Sequence, residues 1–205
     1  MNAMTNETNS KATNKTQGKI FTTKIMVTVS LLAALSYVLM LLESPAYIGF
    51  LKLELSDIPA IIGALQFGPI AGIVIELVKN LLKTLSTQTA GIGELANFVV
   101  SVAFVVPAAI IFKKLKGKYK SLAAFGIATI CMAIAGFLIN YFVTIPMYAS
   151  FYGGIDNVVA VATGIPGIKD KFTLILYGIT PFNIVKGIIL GVVGHYTYKL
   201  LKNRL

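Results

Sequence analysis

Asp57-Ile-Pro-Ala-Ile-Ile-Gly-Ala-Leu-Gln-Phe67-Gly68-Pro69-Ile-Ala-Gly-Ile-Val-Ile-Glu76-Leu-Val-Lys79-Asn80-Leu-Leu-Lys83-Thr84 decides how many times this chain crosses a membrane. Read as one helix, the stretch crosses once. Read with a break at Gly68-Pro69, it goes down and back, because Gly-Pro is a turn signal and the residue before a proline avoids the helical region. The two pieces then cover about residues 58–67 and 69–86. The first holds about ten residues at roughly 1.5 Å of rise each, which is too short to span alone. It has to pack inside a bundle or meet a thinned membrane.

Charge chooses between the two readings. Apolar runs precede the stretch at residues 21–42 and follow it at about 91–112, 120–147 and 172–202. The connection from Lys113 to Lys120 carries five lysines, and cytoplasmic loops collect Lys and Arg. With the break, that loop falls on the same side as Lys11, Lys15, Lys19 and Lys24 and as Lys199, Lys202 and Arg204. Twelve of the 18 basic residues then share one face. Without the break they are split. We therefore expect an all-α polytopic membrane protein with six transmembrane helices, a short second helix and both termini cytoplasmic.

Composition agrees. The chain has 205 residues, of which 56% are hydrophobic and only 13% charged, where soluble domains carry about a quarter. Its length allows five or six crossings and no sizeable soluble domain, so residues 20–205 read as one membrane domain. Residues 1–19 are polar without an apolar face and read as a disordered cytoplasmic tail. The run from Ile25 to Leu42 is long for a signal-peptide core and lacks a cleavage site, so it is expected to be retained. The net charge of +10 follows from topology, and no nucleic-acid partner is expected. Cys131 is the sole cysteine, which excludes an intramolecular disulfide and a thiolate zinc site; no metal is expected.

Two outer loops are predicted, residues 43–56 and 148–170. In the first, Phe50, Lys52, Glu54 and Ser56 alternate with Leu51, Leu53, Leu55 and Asp57, the period of an extended segment. Thr180-Pro181 reads as an N-cap with proline at the first helical position of the last span.

Ionisable and amide groups inside a span are costly and mark function by default. Four segments carry them at helical spacing: Glu76, Lys79, Asn80 and Lys83; Glu94, Asn97 and Ser101; Gly136, Asn140 and Thr144; Thr180, Asn183 and Lys186. At about 1.5 Å per residue, they fall in the outer halves of their helices, and the inner halves are nearly pure hydrocarbon. That pattern describes a pocket open outward and closed below, not a pore. Each group also has a structural reading. Glu76 and Lys79 can be a plain ion pair, Asn97 and Asn140 can bond neighbouring helices, and Lys83 can snorkel to the surface. His195 reads as a packed residue, and Tyr47, Tyr148 and Tyr152 as interfacial belt residues, though a pocket can borrow one. On the first span, Ser30 and Ala34, with Ala33 beside them, form a small-x-x-x-small face suited to docking another helix.

No phosphate-binding Gly-x-x-x-x-Gly-Lys-Ser/Thr run occurs, so energy for uptake must come from a partner or an ion gradient. Neither H-E-x-x-H nor G-x-S-x-G occurs, and the paired halves of common secondary carriers are missing.

In their order along the chain, Leu53-Glu-Leu-Ser-Asp-Ile-Pro59, Gln66-Phe-Gly-Pro69, Gly93-Glu-Leu-Ala-Asn97, Asn140-Tyr, Pro146-x-Tyr148 and Pro181-Phe-Asn-Ile-Val-Lys-Gly187 resemble the S components of energy-coupling factor vitamin transporters, in detail the riboflavin-specific kind. The resemblance covers nearly the whole chain after the tail. It implies a non-enzymatic, high-affinity riboflavin-binding subunit of an ATP-driven uptake system in a prokaryotic plasma membrane. Riboflavin is then cargo and no cofactor is needed. The partners it implies are a coupling transmembrane subunit and two ATPase subunits. It implies that the loop after the first span lids the pocket, which carries over onto Leu53, Glu54, Leu55 and Asp57. It also implies flavin contacts from Asn140 and Lys186. The polar convergence adds Lys79, Glu94, Asn97, Tyr148 and Asn183 to the candidate site. Ser30, Ala33 and Ala34 are the candidate docking face, with Ser30 standing where alanine is commoner. The absence of tryptophan counts against thiamine or biotin as cargo. Two rival readings remain at this point: a stand-alone ion-coupled carrier using Glu76, Lys79 and Glu94, and an intramembrane lipid-modifying enzyme with Glu94 as base.

Overall fold

The computed structural model describes residues 22–201 except 49, 118 and 163. The disordered tail expected over residues 1–19, with Lys202 and Arg204, lies outside the described residues.

Among the described residues there are six membrane segments. They are α1 (Thr23–Leu41), α2 (Asp57–Phe67), α3 (Pro69–Lys83), α4 (Ile92–Lys114), α5 (Lys120–Tyr152) and α7, which begins at Lys171 and ends at Leu201. A short helix, α6 (Ile155–Ala160), lies in the last outer loop. Four segments are long and apolar enough to cross alone: α1, α4, α5 and α7. The pair α2–α3 makes the remaining passage down and back.

The break between α2 and α3 is where the sequence places it. Gly68 sits at φ +108°, a region closed to residues with a Cβ. Pro69 follows at the first helical position, where its missing N–H costs nothing. Small residues let the two helices lie against α4: a Cβ at Gly72 would stand 2.8 Å from the Ala64 Cβ and 2.6 Å from Val105 Cγ1.

The inner end of the bundle can be recognised by its contacts. Ile25 and Met26 border the same groove as Phe67, Gly68 and Pro69. Lys113 Nζ reaches to 3.7 Å from where a Gly68 Cβ would be. Lys120 Nζ lies 4.2 Å from the centre of the Phe112 ring, and that ring packs edge-on against Tyr198 at 4.5 Å. Lys24, Lys113, Lys114, Lys116, Lys120 and Lys199 all belong to this end, which is the cytoplasmic one by the excess of positive charge.

The helices are inverted relative to those of a soluble protein. On α3, Glu76, Lys79 and Asn80 are buried, while Leu77 and Leu81 face outward. On α1, Leu31, Leu35 and Val38 are exposed to the lipid side. Ser30 and Ala34 are also exposed, whereas Ala33 is only 2% exposed. Ala33 therefore packs within the bundle and is not part of a free docking face.

Three expectations are corrected. The last span does not start at Thr180. It starts at Lys171 with Asp170 as N-cap, whose side chain accepts from the Thr173 N–H at 2.8 Å in a capping box. Thr180 has helical angles inside a continuous helix. The helix survives Pro181 because Leu174–Ile179 is a wide π-turn, and the wider turn makes room for a ring that would strike the carbonyl four residues back. The same device recurs in α5, where the π-turn Asn140–Thr144 precedes Pro146. It carries α5 on to Tyr152, so the second outer loop is shorter than residues 148–170. Tyr148 is 1% exposed inside the fold and is not a belt residue.

Candidate substrate-binding site

A cavity of about 350 Å³ opens in the outer half of the bundle. Its deep wall is formed by Val100 and Asn97 of α4, Asn140 and Thr144 of α5, and Asn183 and Lys186 of α7. Tyr148 and Ile179 add apolar surface, and Phe50 from the first outer loop packs on Tyr148 with ring centres 4.8 Å apart and planes tilted by 35°. The mouth is bordered by Glu43, Lys52 and Lys83. Their side chains are 24%, 27% and 13% exposed, against 4% for Lys186 within. Below, the cavity is sealed by packed hydrocarbon: Phe104, Ala108, Phe125, Met132 and Leu190 belong to one buried cluster.

The deep wall is poorly satisfied. Asn140 Nδ2 donates to the Gly136 carbonyl at 2.7 Å, leaving its carbonyl oxygen with no partner among the described residues. Thr144 Oγ1 is buried without a hydrogen bond. Asn183, 5% exposed, likewise has no hydrogen bond among the described residues. Its position depends on Gly136, where a Cβ would fall against the Asn183 side chain, only 3.1 Å from Cγ. Buried amides and hydroxyls are nearly always paired in folded proteins. A cluster of unpaired ones around a cavity is the mark of a ligand site.

Behind this wall lies an ionic hub. Asp57 opens α2 deep inside the bundle at 0% exposure. Its Oδ1 accepts from Lys79 Nζ at 2.6 Å and from Ser101 Oγ at 3.0 Å. Its Oδ2 lies 3.0 Å from Lys186 Nζ. Lys79 also reaches Glu76 Oε2 at 2.6 Å and Ser56 Oγ at 3.0 Å. Lys186 donates to Asn97 Oδ1 at 3.0 Å and lies 3.5 Å from Glu54 Oε1. Asn97 Nδ2 completes the circuit with bonds to Glu54 at 2.9 Å and Asn80 at 3.3 Å. Ser36 of α1 donates to the Ser56 carbonyl. Four helices thus grip the end of the first outer loop, residues 54–57.

Glu54, Glu94, Asn97, Asn140, Tyr148, Asn183 and Lys186 border one cavity. Leu53, Leu55, Asp57 and Lys79 do not. In the extended loop the even-numbered row points inward: Glu54 and Ser56 are buried while Leu55 is 42% exposed. Within the leucine row only Leu55 faces out; Leu53 is half-buried and Leu51 joins the cavity lining. Asp57 and Lys79 neutralise each other behind the wall. Lys186, which has no acid within a turn on its own helix, takes its acids from the loop and from α2. Lys83 pairs with Glu43 at 3.5 Å, so it is engaged at the rim.

Sequence reasoning missed Phe50, Lys52, Gln88 and Thr89 in the lining, and left Thr144, though part of a polar stripe, out of the candidate site. Phe50 and Lys52 had a signal, because they share the row of Glu54 in the alternation. Glu94 is held at the rim by Thr87 and Thr89, each donating to Oε2 at 3.0 Å. Glu43 receives Lys52 Nζ at 2.5 Å. Partial burial works against its charged form, but Lys52 and Lys83 prevail and hold the carboxyl below its usual range.

A six-segment bundle holding a blind, polar-walled cavity beneath its extracellular loops defines a membrane-embedded small-molecule receptor. Residues 24–196 match the family model described as ECF transporter, substrate-specific component. The chain belongs to that family, whose members are multi-pass transporter subunits of the cell membrane and not enzymes. It is 35% identical over 184 residues to Riboflavin transporter RibU of Staphylococcus aureus, covering 89% of this chain and 92% of that one. It is 34% identical over 186 residues to Riboflavin transporter FmnP of Bacillus subtilis, covering 87% and 92%. A solved S component of a bacterial ECF transporter superposes with a TM-score of 0.72 at 34% identity, covering 88% of this chain and 96% of that one.

Proposed function

We propose that this chain captures riboflavin in the outer cavity and presents it for ATP-driven uptake. The observation that carries the reading is the set of unpaired groups on the deep wall: Asn140, Thr144 and Asn183. An isoalloxazine ring offers a flat apolar body and one edge with alternating carbonyls and an imide N–H. Amides supply donor and acceptor together and suit such an edge. Tyr148, Phe50, Val100 and Ile179 supply the apolar slot. The volume, about 350 Å³, sits at the small end of ligand pockets and suits one heteroaromatic molecule. The ribityl chain then runs outward along Glu94, Thr89 and the loop, toward the rim. Lys186 is held by three acceptors and contributes a fixed positive charge at the wall.

Glu76 and Lys79 are spent on each other and on Asp57, which supports a receptor without ion coupling of its own. Energy comes from a coupling transmembrane subunit and two ATPase subunits. Ser30 and Ala34 are the part of the α1 face left open for the membrane partner.

Purification tests the reading. The protein should emerge yellow and fluorescent when made in riboflavin-containing medium. Among labelled vitamins it should retain riboflavin, and added riboflavin should raise the melting temperature of ligand-free protein. A colourless protein whose melting point ignores riboflavin would overturn the proposal.

A further inference from the structure

At the mouth of the cavity one carboxylate bridges two ammonium groups. Glu43 Oε1 is 2.5 Å from Lys52 Nζ and Glu43 Oε2 is 3.5 Å from Lys83 Nζ. Lys52 also donates to Gln88 Oε1 at 3.1 Å. All four residues border the cavity. Glu43 and Lys52 come from the first outer loop, Lys83 from the end of α3 and Gln88 from the turn that follows.

This arrangement is a dianion site with its anion built in. Two ammonium groups converge on one point from separate segments, and the protein fills that point with its own carboxylate. Lys83 lies one turn beyond Lys79, roughly 6 Å further out along α3, so the clamp stands above the amide wall at the level where a bound polyol chain would end. We propose that Glu43 is a specificity-determining residue that selects the neutral flavin over its 5′-phosphomonoester by occupying the place of the phosphate between Lys52 and Lys83. The inference rests on the flavin reading of the cavity.

A phosphomonoester carries about −1.5 to −2 charges at pH 7. Placed at the rim, it meets the Glu43 carboxylate at close range and finds both lysines already engaged. A terminal hydroxyl meets neither obstacle, because it can donate to the carboxylate. The selection is by repulsion, with the attractive groups already present underneath. Removing one negative charge should therefore turn the rim from rejecting a phosphate to holding it.

The experiment is a fluorescence-quenching titration of the detergent-purified full chain with riboflavin and with its 5′-phosphate. It compares wild type, Glu43→Gln, Glu43→Ala and the double variant Glu43→Gln/Lys83→Met. The quantity read is the ratio of the two dissociation constants, so that any change common to both ligands cancels. The ratio should shift at least tenfold toward the phosphate ester in both single variants and return in the double variant. The gain should shrink as salt is raised, because the rim charges are partly exposed. An unchanged ratio in both single variants, with riboflavin still bound, would overturn the clamp alone. Failure of wild type to bind either flavin would overturn the proposed function and the clamp with it.

Discussion

The hub around Asp57 and the wall around Asn183 are both polar, both buried, and share Asn97 and Lys186 as neighbours, yet they are built on opposite rules. In the hub, Lys79 and Lys186 meet acids at 2.6–3.0 Å, and Ser56 and Ser101 supply further hydrogen bonds. On the wall, Asn183 and Thr144 have no hydrogen bond among the described residues. Polar groups inside a membrane can therefore be divided by their pairing. The hub too keeps two buried oxygens without a hydrogen bond, Glu76 Oε1 and Asp57 Oδ2, but both belong to carboxylates held by a lysine at 3.0 Å or less, so charge pairing is what separates it from the uncharged wall.

Substitutions put this division to the test. The largest effect is expected from Asp57→Ala, which leaves two buried ammonium groups short of a counter-charge. Removing one partner of a buried pair costs about 3–5 kcal/mol, so thermal unfolding in detergent should show a large drop in melting temperature. A variant as stable as wild type would deny the hub its structural role. Lys186→Ala stands on the border. It should lower the melting temperature and also weaken riboflavin binding by about an order of magnitude, roughly 1.4 kcal/mol. Loss of affinity without loss of stability would move Lys186 wholly to the wall. Asn183→Ala and Asn140→Ala should each weaken riboflavin by a similar factor of about ten while the ligand-free melting temperature holds. Wild-type affinity in both would remove them from the site. Gly136→Ala should act through Asn183, displacing its amide and weakening binding severalfold. Smallest of all, Ser30→Leu should leave flavin affinity unaltered and lower vitamin uptake only when the partner subunits are present.

Much of this was legible in the sequence, and the reasons are local. Gly68-Pro69 announces a turn through backbone geometry alone, and the lysine tally then settles how many times the chain crosses. The polar positions on α3, α4, α5 and α7 are visible as helical stripes. Which of them face the cavity is not visible, because that depends on partners far away in the chain. Asn97 meets Glu54 across 43 residues and Lys186 across 89. Thr180-Pro181 misled for a physical reason: an N-cap followed by proline has the same sequence as a π-turn absorbing a proline, and only the upstream helix distinguishes them. Leu53 and Leu55 misled because the end of the loop was carried over as a run, whereas Phe50, Leu51, Lys52 and Glu54 border the cavity and Leu53 and Leu55 do not.

The grip of four helices on residues 54–57 has a consequence for how sequences of this kind can change length. In the first outer loop the Ser44 N–H donates to the Leu53 carbonyl and the Tyr47 N–H to the Leu51 carbonyl, so added residues are best accommodated at the exposed Pro45-Ala46 step between these ties. A single residue inserted between Glu54 and Asp57 would reverse the parity of an extended strand. Glu54 would be thrown outward and every cross-link to α1, α3, α4 and α7 would slip by one. Length variation should therefore collect on one side of Leu51 and vanish on the other.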